Sequence, residues 1–197
     1  YSSKPCGYVF MSIPGGYEVV SDGLIPRFFG YTTLCKPDVI DFQLEKRHNN
    51  NFTLFISADT HLRGDPEEYD LPQFRKWYLS DISHEIERTK GPVYSLLLGD
   101  MTTDIMWHKN DFALRKYLDV MKTYPSPIFH LPGNHDNERF IDPEIPDAQW
   151  DSIAQRPYRQ IIGPNYYSFN LGKVHFVMLV NIIVRKGELK KSEAKPA

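Results

Sequence analysis

The chain has 197 residues, a formal net charge of -2 at neutral pH, and 41% hydrophobic and 24% charged side chains, proportions that suit one well-buried domain with a small extra. With no basic excess there is no electrostatic footprint for nucleic acid or an anionic membrane surface, so no nucleic-acid partner is expected. No apolar run approaches the roughly 18 residues that span a bilayer, and no signal peptide is found; because the chain opens on Tyr1 rather than Met, an upstream segment is expected before it.

Taken in order, residues 7–13 read as a strand closed by the turn Pro14-Gly15-Gly16, and Asp22-Gly23 is a second turn signal. Over residues 39–45, Ile40, Phe42 and Leu44 alternate with Asp41, Gln43 and Glu45, the period of a half-buried strand. Residues 1–48 therefore read as a β segment. It is too short to bury much core alone, and is expected to pack on the rest of the chain or to belong to a larger accessory β domain. Cys6 and Cys35 lack Cys-x-x-Cys spacing, which leaves two buried thiols or one disulfide as readings. The polar run Arg47-His48-Asn49-Asn50-Asn51 is the candidate linker, and Asn51-Phe52-Thr53 matches a short glycosylation pattern of low specificity.

From Phe52 the pattern becomes strand, helix, strand, helix, strand. After the strand Phe52–Ala58, the spacing of Phe74, Trp77, Ile82 and Ile86 predicts a crossover helix over 72–89, with Pro72 near its first turn and Gly91-Pro92 after its end. A second strand over 93–98 precedes a helix capped by Asn110 or Asp111, with Phe112, Leu114, Leu118 and Met121 on its apolar face. A third strand follows over 127–131, and later a hairpin, Tyr166–Leu171 and Val174–Val180, turns at Gly172-Lys173. Strands that are apolar on both faces and separated by helices predict a covered parallel sheet. Ligands bind such sheets beyond the carboxyl ends of the strands.

All three strands end at ligand-type residues: Asp59-Thr60-His61, Gly99-Asp100 and Gly133-Asn134-His135-Asp136. Any one of these is an ordinary turn; three in order, each directly after a buried strand, point to a site. Asp59 and His61 form a mixed oxygen and nitrogen donor set, which suits manganese, iron or zinc better than calcium. Asp100 has two oxygens and could bridge two ions, and Asn134 offers a neutral oxygen to the second. His135 is then placed to donate a proton to a leaving group or to bind a phosphate oxygen.

Those three motifs resemble the first three of the calcineurin-like metallophosphoesterases. The opening segment from Gly7 to Pro14 and the stretch Tyr158 to Gly172 resemble a bacterial branch with an N-terminal β domain. The resemblance implies an α/β fold, a layered αββα sandwich of which one half is present, preceded by the small β segment. Its division would be 1–48 accessory β segment, 49–185 the N-terminal half of the phosphoesterase domain, and 186–197 a polar tail. It implies a hydrolase of phosphoric mono- or diesters that uses a metal-activated hydroxide at a dinuclear centre of two ions (Mn, Fe or Zn). Asp59 and His61 would bind the first ion, Asp100 would bridge, Asn134 would bind the second, and His135 would face substrate.

In many relatives that histidine is oriented by an Asp three residues after the bridging Asp. Here that place is Thr103, so Asp104 is the candidate partner. Neither the Gly-His pair nor the Gly-His-x-His motif that supplies the family's remaining ligands is found, so the chain is expected to be truncated before them. The alternative function is a catalytically incomplete fragment with weak metal or phosphate binding. The expected partners are a small phosphorylated substrate and, through an uncovered hairpin face, a second copy of the chain. Export to the periplasm or cell surface is implied by the resemblance alone.

Overall fold

The computed structural model describes residues 7–32 and 39–186; the two cysteines and the tail beyond Lys186 lie outside the described residues. The opening segment contributes strands β1 (Gly7–Phe10), β2 (Tyr17–Val19), β3 (Ser21–Asp22), β4 (Ile25–Pro26), β5 (Phe29–Thr32) and β6 (Leu44–Lys46). They pair antiparallel, β1 with β5, β2 with β6 and β3 with β4. The strand expected over 39–45 keeps its alternation of half-buried and exposed residues, yet ladder pairing starts only at Leu44, because β2 offers just three residues to pair with. Pairing of β1 likewise stops at Phe10, and Ile13 instead bridges Phe169.

The run expected as a linker is fastened at Asn49, which is 1% exposed. Its Oδ1 accepts the backbone N–H groups of Gly16 at 2.9 Å and Gly172 at 3.0 Å, and its Nδ2 donates to Tyr94 Oη at 3.1 Å. One buried amide thus ties the opening segment to the sheet and the hairpin.

Strands β7 (Thr53–Ser57), β8 (Val93–Leu98) and β9 (Ile128–Leu131) form a parallel sheet in that order. The first crossover is α1 (Asp70–Phe74), a π-helical turn over Arg75–Leu79, and α2 (Ser80–Arg88). The π turn corrects the expected apolar face. One extra residue per turn rotates the register, so Tyr78 and Leu79 join the core while Trp77 is left 58% exposed. The second crossover holds two helices where one was expected, α3 (Asp104–Lys109) and α4 (Leu114–Val120). Ala113, not Asn110 or Asp111, is the N-cap of α4. Asn110 is engaged elsewhere, its Nδ2 donating to the carbonyl of Arg63 at 3.1 Å.

After β9 come α5 (Asp147–Ala154) and α6 (Arg156–Ile161), which the apolar spacing did not announce, and then the hairpin of β10 (Tyr167–Leu171) and β11 (Val174–Met178). Two cores result. On one face of the sheet, Leu97 and Ile128 pack with Leu79, Trp107, Leu114, Tyr117 and Tyr158 from the helices and with Met121 and Ile162 just past their ends. On the other, Tyr94, Leu96 and Phe129 pack with Ile13 and Phe28 of the opening segment and Phe169 and Met178 of the hairpin. Phe169 stacks on Phe129 at 3.9 Å between centroids and is fully buried. The hairpin's inner face is therefore covered by the sheet and the opening segment, a correction to the expectation that it lacks a packing partner. No helix is long and apolar enough to cross a membrane among the described residues.

His130, in β9, lies buried on the helix side with its Nε2 3.0 Å from Tyr117 Oη. Burial lowers its pKa from 6.5 to about 4. The unfolded chain therefore takes up this proton first, so the associated stability is complete above about pH 6.5 and is lost as pH falls toward 4. The shift from 6.5 to about 4 corresponds to about 3 kcal/mol. Denaturant unfolding at pH 7, 5.5 and 4 is expected to show this loss, and His130→Gln to flatten it.

Candidate metal centre

The loop after β7 runs alongside the loop after β8 and continues the parallel pairing past the sheet. Backbone N–H groups of Asp59, His61 and Leu62 donate to the carbonyls of Gly99, Asp100 and Met101 at 3.0, 2.8 and 3.1 Å. Thr60 Oγ1 adds a bond to the Met101 carbonyl at 2.9 Å. Asp59, His61 and Asp100 take φ values of 57, 44 and 49°, a left-handed conformation that disfavours residues with a Cβ and clusters at functional sites. The turns so produced aim the three side chains at one place.

His61 Nε2 lies 3.6 Å from Asp59 Oδ1 and 3.6 Å from Asp100 Oδ2. Ligand atoms of His61, Asp100 and His135 all fall within 4.8 Å of one another, and the rings of His61 and His135 meet at 5.0 Å between centroids. Two donors bound tetrahedrally to one ion at zinc-like distances are about 3.4 Å apart. Lone-pair donors brought this close fit a cation between them. Asn134 is exposed at the head of the short 3-10 turn Asn134–Asp136 that carries His135.

A buried carboxylate underlies the site. Asp136, fully buried, takes the backbone N–H groups of Gly133, Met101 and Thr102 at 2.9, 3.3 and 3.1 Å, and Thr102 Oγ1 at 3.3 Å. Burial pushes it up to about 7, against the lowering by those N–H groups. Expected among the groups displayed on the turn, Asp136 points inward instead and clamps the third motif to the second. Gly133 permits the approach, since a Cβ there would overlap Asp100 Oδ1 and the Asp100 backbone nitrogen.

Asp100 Oδ1 accepts the backbone N–H of His135 at 2.8 Å, and His135 Nδ1 lies 2.8 Å from Asp104 Oδ1. The other Asp104 oxygen faces Arg139, 3.4 Å from its guanidinium, both side chains being at least 87% buried. The structure thus brings Asp59, His61, Asp100, His135 and Asp104 together. Sequence reasoning missed Arg139 and Thr102. Thr102 is held by Trp107 Nε1 at 2.8 Å, and neither residue belongs to a spacing that announces it. Of the other histidines, His108 Nε2 meets Glu138 Oε1 at 3.0 Å and His175 Nδ1 meets Asn170 Oδ1 at 2.8 Å on the hairpin's outer side.

The family model of the calcineurin-like phosphoesterases matches residues 52–192. The chain belongs to that family, whose members bind metal ions and hydrolyse phosphoric esters. No curated protein and no solved structure matches the chain.

Proposed function

We propose that the chain hydrolyses phosphoric mono- or diesters at a dinuclear centre in which Asp59 and His61 hold one ion, Asp100 bridges and Asn134 holds the second. The observation that carries this reading is the convergence of the Asp59, His61 and Asp100 side chains from three left-handed residues on adjacent loops. When bound, such ions lower the pKa of a water and neutralise phosphate oxygens. With Nδ1 of His135 engaged by Asp104, Nε2 is the nitrogen left to give a proton to the departing ester oxygen. The phosphorus–ester bond breaks, a water oxygen takes its place, and the alcohol leaves with that proton.

Arg139 holds the far side of Asp104 and so fixes the imidazole. Arg139→Ala is expected to lower kcat about 10-fold with little change in KM, and Arg139→Lys to restore part of it. Steady-state kinetics on a nitrophenyl phosphate ester reads both.

A second reading, a centre that binds metal but does not turn over, is favoured by one observation: only two imidazoles, His61 and His135, reach the cluster among the described residues. Metal per chain, measured by elemental analysis after loading with manganese or zinc and desalting, separates the two. Two ions support the dinuclear reading; one or none supports the second.

The apolar residues left outside both cores include Ile56 (58% exposed) and Leu98 (43%) of the sheet and Val177 (57%) of the hairpin. Apolar exposure of this kind favours association. Light scattering at micromolar concentration is expected to report an oligomer, and a clean monomer would count against it.

A further inference from the structure

The turn Asn134–Asp136 is three residues long, too short to close the backbone bonds of an α-helix, so its carbonyls need other partners. The bond within it from the Asp136 N–H to the carbonyl of Gly133 is long, at 3.4 Å. Asn137, the next residue, supplies what is missing. Its Nδ2 donates to the carbonyls of Gly133 at 3.0 Å and Asn134 at 3.3 Å. Those carbonyls belong to the two peptide groups that flank the Asn134 Cα. The second of these groups is held at its other end too, where the His135 N–H donates to Asp100 Oδ1 at 2.8 Å. Peptide groups are planar, so fixing the two that flank a Cα fixes its backbone dihedrals, and with them the direction of its Cβ.

Stability alone does not account for Asn137. The side chain is 5% exposed, and its Oδ1 is buried with no hydrogen-bond partner among the described residues. An unpaired buried acceptor disfavours folding and asks for a functional reason. The backbone it serves has less need of it, because Gly133 is half-buried and Asn134 exposed, where solvent can take the place of an amide donor.

We propose that Asn137 is a positioning residue for the metal centre, its amide setting the direction in which the turn presents Asn134 Oδ1 to the metal ions. The inference rests on the dinuclear reading and adds to it the group that makes an exposed asparagine an effective ligand. A ligand on a freely moving turn loses that freedom whenever an ion binds, whereas one on a fixed backbone has less to lose. Asn137 touches neither ion nor substrate in this scheme. Its loss is therefore felt in metal affinity, and not in the chemistry once both ions are in place.

Manganese binding by titration calorimetry, beside thermal melting of the metal-free protein, tests it. In Asn137→Ala the weaker of the two ions is expected to lose about 10-fold in affinity and the tighter less than about twofold. The melting point of the metal-free protein should stay within about 3 °C. Asn137→Ser, which keeps one donor, should recover part of the loss. Asn137→Asp, which sets oxygens against both carbonyls, should lose at least as much as the alanine variant. Hydrolysis of a nitrophenyl phosphate ester by Asn137→Ala should return to within about twofold of the unaltered chain at saturating manganese. Unchanged affinity in the alanine and aspartate variants overturns the proposal. So does a melting point that falls in step with affinity, since the amide would then only hold the fold. Failure of the dinuclear reading looks different, because the unaltered chain itself would bind one ion or none. With one ion, the comparison is made on that ion, and equal affinities overturn the proposal; with none, it falls with the reading.

Discussion

Asp100→Asn is expected to lower phosphoester hydrolysis at least about 100-fold and to strip the protein of tightly held metal, while the fold persists. The choice of asparagine isolates the charge. Asp100 sits at a φ of 49°, a conformation that asparagine tolerates as well as aspartate does, so the backbone has no new reason to move. The amide oxygen can still accept the His135 backbone N–H that Oδ1 accepts at 2.8 Å. What disappears is the anionic oxygen 3.6 Å from His61 Nε2, and with it the group able to serve two ions at once. Removing several kcal/mol of charge stabilisation in the transition state has an effect of this size. Kinetics, elemental analysis and thermal melting on one preparation make the check. Unchanged metal content together with unchanged activity would show that the site has been assigned wrongly.

Asp136→Ala is expected to destabilise the fold by about 2–6 kcal/mol, because it leaves three backbone N–H groups without an acceptor, two of them buried at about 1–3 kcal/mol each. Those groups belong to Gly133, Met101 and Thr102, so the loss falls on the joint between the second and third motifs. Metal affinity should fall with it, since His135 and Asp100 are then no longer held in register. Asp136→Asn keeps one acceptor oxygen and is expected to lie between the two. Urea unfolding, with metal uptake measured well below the midpoint, distinguishes a loosened joint from a missing ligand. Equal stability of all three proteins would show that the clamp carries no weight.

Much of the architecture was legible because local pattern and tertiary role agree. The runs Val93–Leu98 and Ile128–Leu131 lie between two cores and Thr53–Ser57 is a half-buried edge strand beside them, so apolar residues show on both faces of the run. The ligand-type residues after them were legible for a related reason: in a parallel sheet all strands point one way, so residues at their carboxyl ends gather at one edge. The hairpin turn at Gly172 and the placement of His130 and His175 on strands follow from period and turn chemistry alone.

Elsewhere the pattern misled or was silent. Trp77 has the spacing of a core residue, but a π-helical turn rotates it outward, and nothing in local propensity marks such a turn. Two short helices, α5 and α6, bury Trp150, Ala154 and Tyr158 over too few turns for a clear period. Asn49 lies in a run of polar residues and is nonetheless among the most buried side chains, because its partners at Gly16, Tyr94 and Gly172 are distant in the chain.

The sequence by itself determined the family, the parallel sheet, and the residue types that end its strands, since each is written in contiguous stretches of one period or one short motif. Only the tertiary structure decided how those ends become a site. It sets Asp100 against His61 and the His135 backbone, turns Asp136 inward as a clamp, and seats Arg139 behind Asp104. These are contacts between loops about 30 to 40 residues apart. They depend on where the folded backbone brings each loop, and on which polar groups burial then obliges to pair.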